Sequence, residues 1–425
     1  MSDSGSLFND DDLFGSSEPV VRETRQSEPE SAPYAARYSN SRIKPISLDG
    51  LNPMQREAAE HVNGPLLVVA GAGSGKTRVL THRIAHLISN HGVSPMNVLA
   101  ITFTNKAAGE MKHRVESLIG PVAKSMWVST FHSACVRILR VHAERIGYPK
   151  TFSIYDQADA QRLTGYVIRD MGLDVKRFTP RAVHAVISNW KNELVSPTQA
   201  AEQAAHIFDR KHSEIYREYQ ERLLKAGAMD FDDLLVNVVR LFRMHPDVLA
   251  SYQDRFKYIL VDEYQDTNIA QNEIVLSLAA RHHNVCVVGD TDQSIYAFRG
   301  ADFRNIGQFE DAFDEVSVVV LEQNYRSTQN ILDAANAVIA QNFGRKPKEL
   351  WTETGPGDPI VRFHADDEGD EAAFVARTMQ TLRTGGRKWG DMAVFYRTNP
   401  QSRVVEEIFM RFGVPYKVVG GTRFY

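Results

Sequence analysis

Six short apolar runs, each ending in polar or glycine-rich residues, set the strongest limit on what this 425-residue chain can fold into. They read PLLVVAGAG (65–73), NVLAITFTN (97–105), SMWVSTFH (125–132), YILVDEYQD (258–266), NVCVVGDTD (284–292) and VSVVVLEQNYR (316–326). Near-continuous Val/Ile/Leu stretches of this length fit parallel strands, whose two faces are both buried and both need apolar side chains. In open α/β sheets ligands bind outside the carboxyl ends of the strands. Every polar cluster in these runs falls there. Between about 152 and 226 the pattern changes to helical spacing, with DQADAQRLTGYVIRDMGL, TPRAVHAVISNWKNEL and HSEIYREYQERLLKAG starting near Asp, Thr or Ser caps. A helical insertion between two strands is expected there. After Val320 a second α/β segment begins, with DPIVRFHA, DMAVFYRT and YKVVGG as expected strands. The expected layout is a tail at 1–45 and a first α/β domain in two parts, 46–151 and 227–318, around a helical subdomain at 152–226. The N-terminal part of a second α/β domain follows at 319–425.

Composition narrows the class further. The length suits about three domains of ~150 residues. A net charge of −4 and a pI near 6.4 argue against a generally basic coat, while leaving room for a local basic groove. The two cysteines, Cys135 and Cys286, lie far apart in apolar runs, with no metal-ligand spacing. No apolar run approaches the ~20 residues of a membrane span, and the N-terminus lacks a signal-peptide layout. A cytoplasmic protein without membrane contact or structural zinc is expected. Residues 1–45 are rich in Ser, Glu, Asp and Pro and cannot bury enough surface to offset their ordering entropy. Two Leu-Phe pairs in that tail, Leu7-Phe8 and Leu13-Phe14, are a candidate docking peptide for a partner. An ordinary solvated tail is the simpler reading.

The stretch AGAGSGKT (70–77) follows an apolar strand and precedes a credible helix, RVLTHRIAHLI. That is the setting of a phosphate-binding loop. Backbone N–H groups of Ala70, Gly71, Ala72, Gly73, Ser74 and Gly75, with the helix N-terminus, cradle phosphates. Lys76 neutralises them and Thr77 reaches Mg²⁺. The strict pattern has Gly where this chain has Ala70. A chance match in a glycine-rich loop is the simpler alternative, and the strand–loop–helix context argues against it. YILVDEYQDT supplies acids at a strand end, Asp262 for Mg²⁺ and Glu263 for the attacking water. Together with Lys76 they point to ATP hydrolysis.

Beyond generic chemistry, LNPMQREAA, AGAGSGKTRVL, ITFTNKAAGEM, VSTFHSAC, MDFDDLL, VDEYQDTNIAQ, GDTDQSIYAFRGA and LEQNYRSTQNIL occur in the order found in superfamily 1 DNA helicases. The chain resembles the UvrD/PcrA/Rep group from about residue 46 to its last residue. The resemblance implies P-loop NTPase (RecA-like) sheets, ATP and Mg²⁺ as cofactors, and movement on single-stranded DNA and single/double-strand junctions. It further implies 3′→5′ polarity and a role in DNA repair or replication restart; any repair-protein partner would be met by the candidate docking peptide of the tail, which is a reading of the tail's own residues. Gln55 would contact the adenine, Tyr325 would stack on it and Arg78 would lie nearby. Gln293 would sense the γ-phosphate. Arg326 would act as an arginine finger from the second domain, a device that raises rates by ~10³–10⁵.

A DNA strand would meet Phe103, Asn105, Thr130, His132, Tyr296, Phe298 and Arg299, with Arg397 and Asn399 contributing from the second domain. Aromatic stacking suits a motor that accepts any sequence and is worth ~1–3 kcal/mol per base. Taken alone, Phe103 and Tyr296 also read as packing residues and His132 as a core histidine. The group often has Trp where this chain has Phe298. The twelve residues GDTDQSIYAFRG thus join a phosphate-facing half to a base-facing half, and the loop is expected to couple the two sites. The later motifs of the group are not in this sequence, so weak ATP and DNA binding without duplex unwinding is expected of the chain by itself. Two rival readings are the motor part of a helicase–nuclease and an ATP-dependent DNA-binding module that never separates strands.

Overall fold

The computed structural model describes residues 43–296, 300–302, 304–342 and 345–419. Most of the tail, together with Phe298 and Arg299, lies outside the described residues. All six apolar runs are strands of one parallel sheet: β1 (Leu66–Ala70), β2 (Val98–Thr102), β3 (Trp127–Thr130), β6 (Tyr258–Val261), β7 (Val285–Gly289) and β8 (Ser317–Leu321). Among the described residues two short strands, β4 (Ser153–Tyr155) and β5 (Ala228–Asp230), pair only with each other. The sheet order is β3-β2-β6-β7-β1-β8. β1, β2 and β7 are buried along their whole length. Their alternate residues feed two cores, which explains why the runs read as continuous rather than alternating.

Leu67, Val69, Leu99, Ile101 and Val287 face one core. Leu66, Val68, Ala100, Cys286 and Val288 face the other. Each fully buried aliphatic side chain of this kind contributes ~1.5–3 kcal/mol. The second core is covered by α1 (Pro53–Glu60), α2 (Lys76–Ser89) and α3 (Asn105–Ile119), through residues such as Ala58, Leu80 and Met111. α4 (Phe131–His142) lies on the first core. The chain then leaves the sheet for α5 (Gln157–Asp170), α6 (Pro180–Asn192), α7 (Pro197–Glu202) and α8 (Ile207–Lys225), which enclose a separate core around Val167, Ile187 and Tyr219. It returns through α9 (Phe231–Met244), α10 (Pro246–Arg255), α11 (Ile269–Ala279) and α12 (Asn305–Asp311), all packed on the first core. Among the described residues no helix is long and apolar enough to cross a membrane.

Three details differ from the sequence expectation. Ile43 packs against the second core, so ordered packing starts before residue 46. The boundary placed at 319 falls inside β8, because Val319 is hydrogen-bonded in register with Val68 of β1. The compact unit built on this sheet runs on to Gly357 and includes α13 (Gln329–Ile339). The remaining unit, described over 358–419, is built on α14 (Glu368–Thr384) and α15 (Ser402–Phe412), which enclose Ala376, Met379, Phe409 and Val414. The strands expected at 358–365, 391–398 and 416–421 are absent among the described residues. Phe363 stacks on Phe374 of α14 at 4.0 Å and Met392 and Val394 pack on the α14–α15 core, while Ile360, Val361, Phe395 and Val419 are exposed, and a strand needs a ladder partner that these segments lack here.

Candidate nucleotide site and nucleic-acid interface

The neighbours β6, β7 and β1 stand at the centre of the sheet, with Val261 opposite Val287 and Val69 opposite Gly289. Their carboxyl ends therefore bring three loops side by side: the acidic pair after β6, the GDTDQ loop after β7 and the phosphate-loop sequence after β1. Gly73 and Gly75 hold left-handed backbone, φ 72° and 91°, which a side chain would strain. Space forbids one as well. A Cβ on Gly75 would stand 2.7 Å from Nε2 of Gln55, and one on Gly73 would stand 2.6 Å from Nδ2 of Asn324. α2 starts at Lys76 with Gly75 as a cap that has no side chain to bond the first-turn N–H groups, so these point into the loop.

Lys76 Nζ lies 3.4 Å from Oε2 of Glu263, joining the loop after β1 to the loop after β6. Glu263 holds φ 52°, a rare left-handed state for a non-glycine residue. Its N–H donates to Oδ1 of Asp262 at 3.0 Å. Burial, and then the neighbouring Glu263 charge, push the Asp262 carboxyl up to about 7 against the opposing pull of Lys76. Asp266 is raised to about 7 for the same two reasons, and its Oδ1 is buried without a hydrogen-bond partner. Acids crowded in this way fit a divalent cation, which would favour their charged form. Among the described residues no three acidic, His or Cys groups form a complete metal cage.

Gln55 is buried, and its amide is engaged at both ends. Nε2 donates to the Ser74 carbonyl at 2.8 Å, and Oε1 accepts from the Asn52 N–H. Arg78 donates to the Gly50 carbonyl at 2.8 Å. Tyr325 is exposed, its N–H donates to the Gly73 carbonyl at 3.0 Å, and its hydroxyl accepts from Nδ2 of Asn52 at 2.8 Å. Gln55, Arg78 and Tyr325 thus gather around one rim of the loop. Arg326 follows on the same turn, its N–H held by Oδ1 of Asn324 at 2.8 Å. Gln293 donates through Nε2 to Oδ2 of Asp290 and so rests on its own loop.

The rings of Phe103 and Tyr296, far apart in sequence, meet at 5.2 Å between centroids. Asn105 begins α3, and its Oδ1 lies 3.5 Å from the Thr130 hydroxyl, which also caps α4. His132 sits on the same turn with its ring edge-on to Phe231, and burial pulls its pKa down to about 4, so the ring is neutral at pH 7. Phe103, Asn105, Thr130, His132 and Tyr296 are therefore brought to one sheet edge. Arg397 and Asn399 belong to the other unit, at the turn before α15.

Sequence reasoning missed four residues of this region. Asn324 donates to the Ala72 carbonyl at 2.5 Å and accepts from Arg326 and Ser327. Gln265 donates to Glu263 at 2.8 Å and accepts from the Asp290 N–H at 2.9 Å, tying the β6 loop to the β7 loop. Lys348 and Leu350 also reach the loops from far along the chain. Asn324 and Gln265 lie inside the quoted motifs LEQNYRSTQNIL and VDEYQDTNIAQ, which was their signal; Lys348 and Leu350 had none.

The profile of the UvrD/REP helicase N-terminal domain matches residues 51–314, and that of the UvrD-like helicase C-terminal domain matches residues 319–425. The ATP-dependent DNA helicase PcrA of Bacillus subtilis is 53% identical over 379 residues, covering 89% of this chain and 51% of that protein. The ATP-dependent DNA helicase UvrD1 of Mycobacterium tuberculosis is 54% identical over 390 residues, again 89% of this chain and 51% of the relative. The chain thus spans about half the length of the curated relatives it matches. A lysine-bearing glycine loop after β1, an acid pair after β6 that it reaches across β7, and a profile match over most of the sequence converge, and the chain belongs to the UvrD-like helicase family.

Proposed function

We propose that this chain carries the ATP-hydrolysing motor of a DNA helicase or translocase that moves 3′→5′ on single-stranded DNA and works at single/double-strand junctions in repair or replication restart. The observation that carries this reading is the Lys76–Glu263 pair, which joins the loops after β1 and β6 across the end of β7, with the Phe103–Tyr296 ring pair on the loops of the same sheet edge. Bound Mg²⁺ would neutralise phosphate charge, with Thr77 and Asp262 as the residues that would hold it. The backbone of 70–75 would cradle the phosphates and Lys76 would offset their charge. Glu263 leaves Lys76 to orient the attacking water and take its proton. Gln293 leaves Asp290 to meet the γ-phosphate, Arg326 stabilises the transition state, and Gln55, Arg78 and Tyr325 bind the base. On the DNA side Phe103, Tyr296, Phe298 and Arg299 stack on or steer bases, Asn105, Thr130 and His132 line the path, and Arg397 and Asn399 add contacts from the other unit. A cytoplasmic setting fits the two free, buried cysteines.

The test is ATP hydrolysis with and without single-stranded DNA, beside Glu263→Gln. The variant is expected to bind ATP normally and to lose at least about 100-fold in DNA-stimulated turnover. Equal turnover in both proteins would remove the assignment.

A further inference from the structure

The run RKPKEL at 345–350 was absorbed by none of the motifs, yet its basic residues reach acids on the β7 loop and α12. Lys348 is almost wholly buried, with Nζ 2.5 Å from Oδ1 of Asp290 and in contact with Oδ2 of Asp292. Arg345 Nε lies 3.0 Å from Oδ1 of Asp292, and its guanidinium also donates to the Lys348 carbonyl at 2.8 Å. Lys346 pairs with Glu310 at 2.6 Å. Two residues past Lys348, the side chain of Leu350 covers the phosphate loop so closely that a Cβ on Gly71 would stand 2.2 Å from its Cδ2. Trp351 then accepts the N–H of Asn324, the residue whose side chain holds Ala72. Two loops that belong to different strands therefore rest on one short strap.

The two ends of the strap touch different chemistry. Asp290 is the carboxylate that Gln293 also grips, through the oxygen that Lys348 leaves vacant. For Gln293 to turn toward a phosphate, Asp290 has to give it up and stay in place as a buried anion. Lys348 supplies the charge that lets it do so, because a buried carboxylate without a cation is strongly disfavoured. Tyr296 lies three residues beyond Gln293, so the same anchor sets the start of the base-facing half of the loop.

We propose that the 345–351 strap is a positioning element, with Lys348 holding the Gln293 loop for hydrolysis and Leu350 holding the phosphate loop for nucleotide binding. The assignment of a catalytic part to Gln293 rests on the proposed function; the strap itself rests on the contacts above. Both act through the residues they hold, Lys348 through Asp290 and Asp292 and Leu350 through the loop at Gly71.

The test uses the full chain with Lys348→Met, Lys348→Arg and Leu350→Ala. It reads turnover with an oligothymidine strand, affinity for a fluorescent ATP analogue, and amide hydrogen exchange. Lys348→Met is expected to lose at least about tenfold in DNA-stimulated kcat with analogue affinity within about threefold of the parent, and Lys348→Arg to recover most of the loss. Leu350→Ala is expected to show the reverse split, weaker analogue binding with kcat largely kept. Exchange should quicken at 290–294 in Lys348→Met and at 71–75 in Leu350→Ala, with α5–α8 unchanged in both. Unchanged exchange at 290–294 in Lys348→Met overturns the proposal, as does a uniform rise that includes α5–α8 or an equal loss of affinity and turnover. If the parent itself shows no DNA-stimulated hydrolysis, the functional reading fails separately, and the exchange and affinity splits still decide whether the strap positions the two loops.

Discussion

Asp262 and Glu263 are adjacent acids with opposite surroundings: one is buried behind its neighbour's charge, the other is paired to Lys76. Burial and the charge of Glu263 lift Asp262 from the ordinary 3.8 to about 7. The folded chain therefore holds this proton more tightly than the unfolded chain does. Stability from this group is fully present at low pH and is lost as pH rises from about 4 through 7. Asp266 acts in the same direction. His132 has the opposite sign, since its lowered pKa makes the fold lose stability as pH falls from 6.5 toward 4. In the absence of Mg²⁺ and nucleotide, Asp262→Asn should raise the melting temperature by a few degrees at pH 8 (~2–4 °C per kcal/mol for larger domains) and by clearly less at pH 6. Thermal melts of parent and variant at both pH values check this. A gain of equal size at both would mean that ionisation is not the cause.

At the scale of elements, the end of α6 is pinned by a buried charge cluster. Lys191 Nζ lies 2.7 Å from Asp230 and 2.8 Å from Asp233, and the Tyr219 hydroxyl donates to Asp230 at 2.8 Å. Burial alone would push the lysine pKa down, and the two carboxylates more than reverse that. Breaking a buried pair from one side typically costs ~3–5 kcal/mol. Urea unfolding of Lys191→Met should show a loss of that order, and adding Asp233→Asn should recover part of it. A loss below about 1 kcal/mol would place the cluster among the neutral ion pairs. Next to this lysine, Asn192 accepts from Nδ2 of Asn268 at 2.6 Å, so the insertion is fastened to the segment that follows the acid pair. MDFDDLL was legible as a motif, but not as the socket of Lys191, because the partners are 39 residues apart.

For the whole molecule, the sheet-bearing unit closes at Gly357, and the segment after it is exposed, Val361 at 77%. Backbone without a ladder or burial is the preferred place for proteolytic nicking. Limited proteolysis should cut first within 358–366 and leave a fragment that holds 43–357, melts cooperatively and binds the ATP analogue. Mass spectrometry of the first products checks it, and a first cut inside α5–α8 would contradict the division.

The sequence by itself determined where six strands lie and which strand-end loops carry the glycine-rich and acidic motifs. Both are local properties: run length and β-branching mark a strand buried on two faces, and glycine permits the left-handed turns at 73 and 75. Only the tertiary structure decided which loops meet. β8 joined the first sheet because Val319 found its partner at Val68, while DPIVRFHA, equally apolar, found none among the described residues. The same holds for Asn324 on Ala72 and Lys348 on Asp290. Their partners lie 252 and more than fifty residues away. A hydrogen bond or an ion pair leaves no periodicity in a sequence; it exists only once the sheet order has set two strand ends side by side.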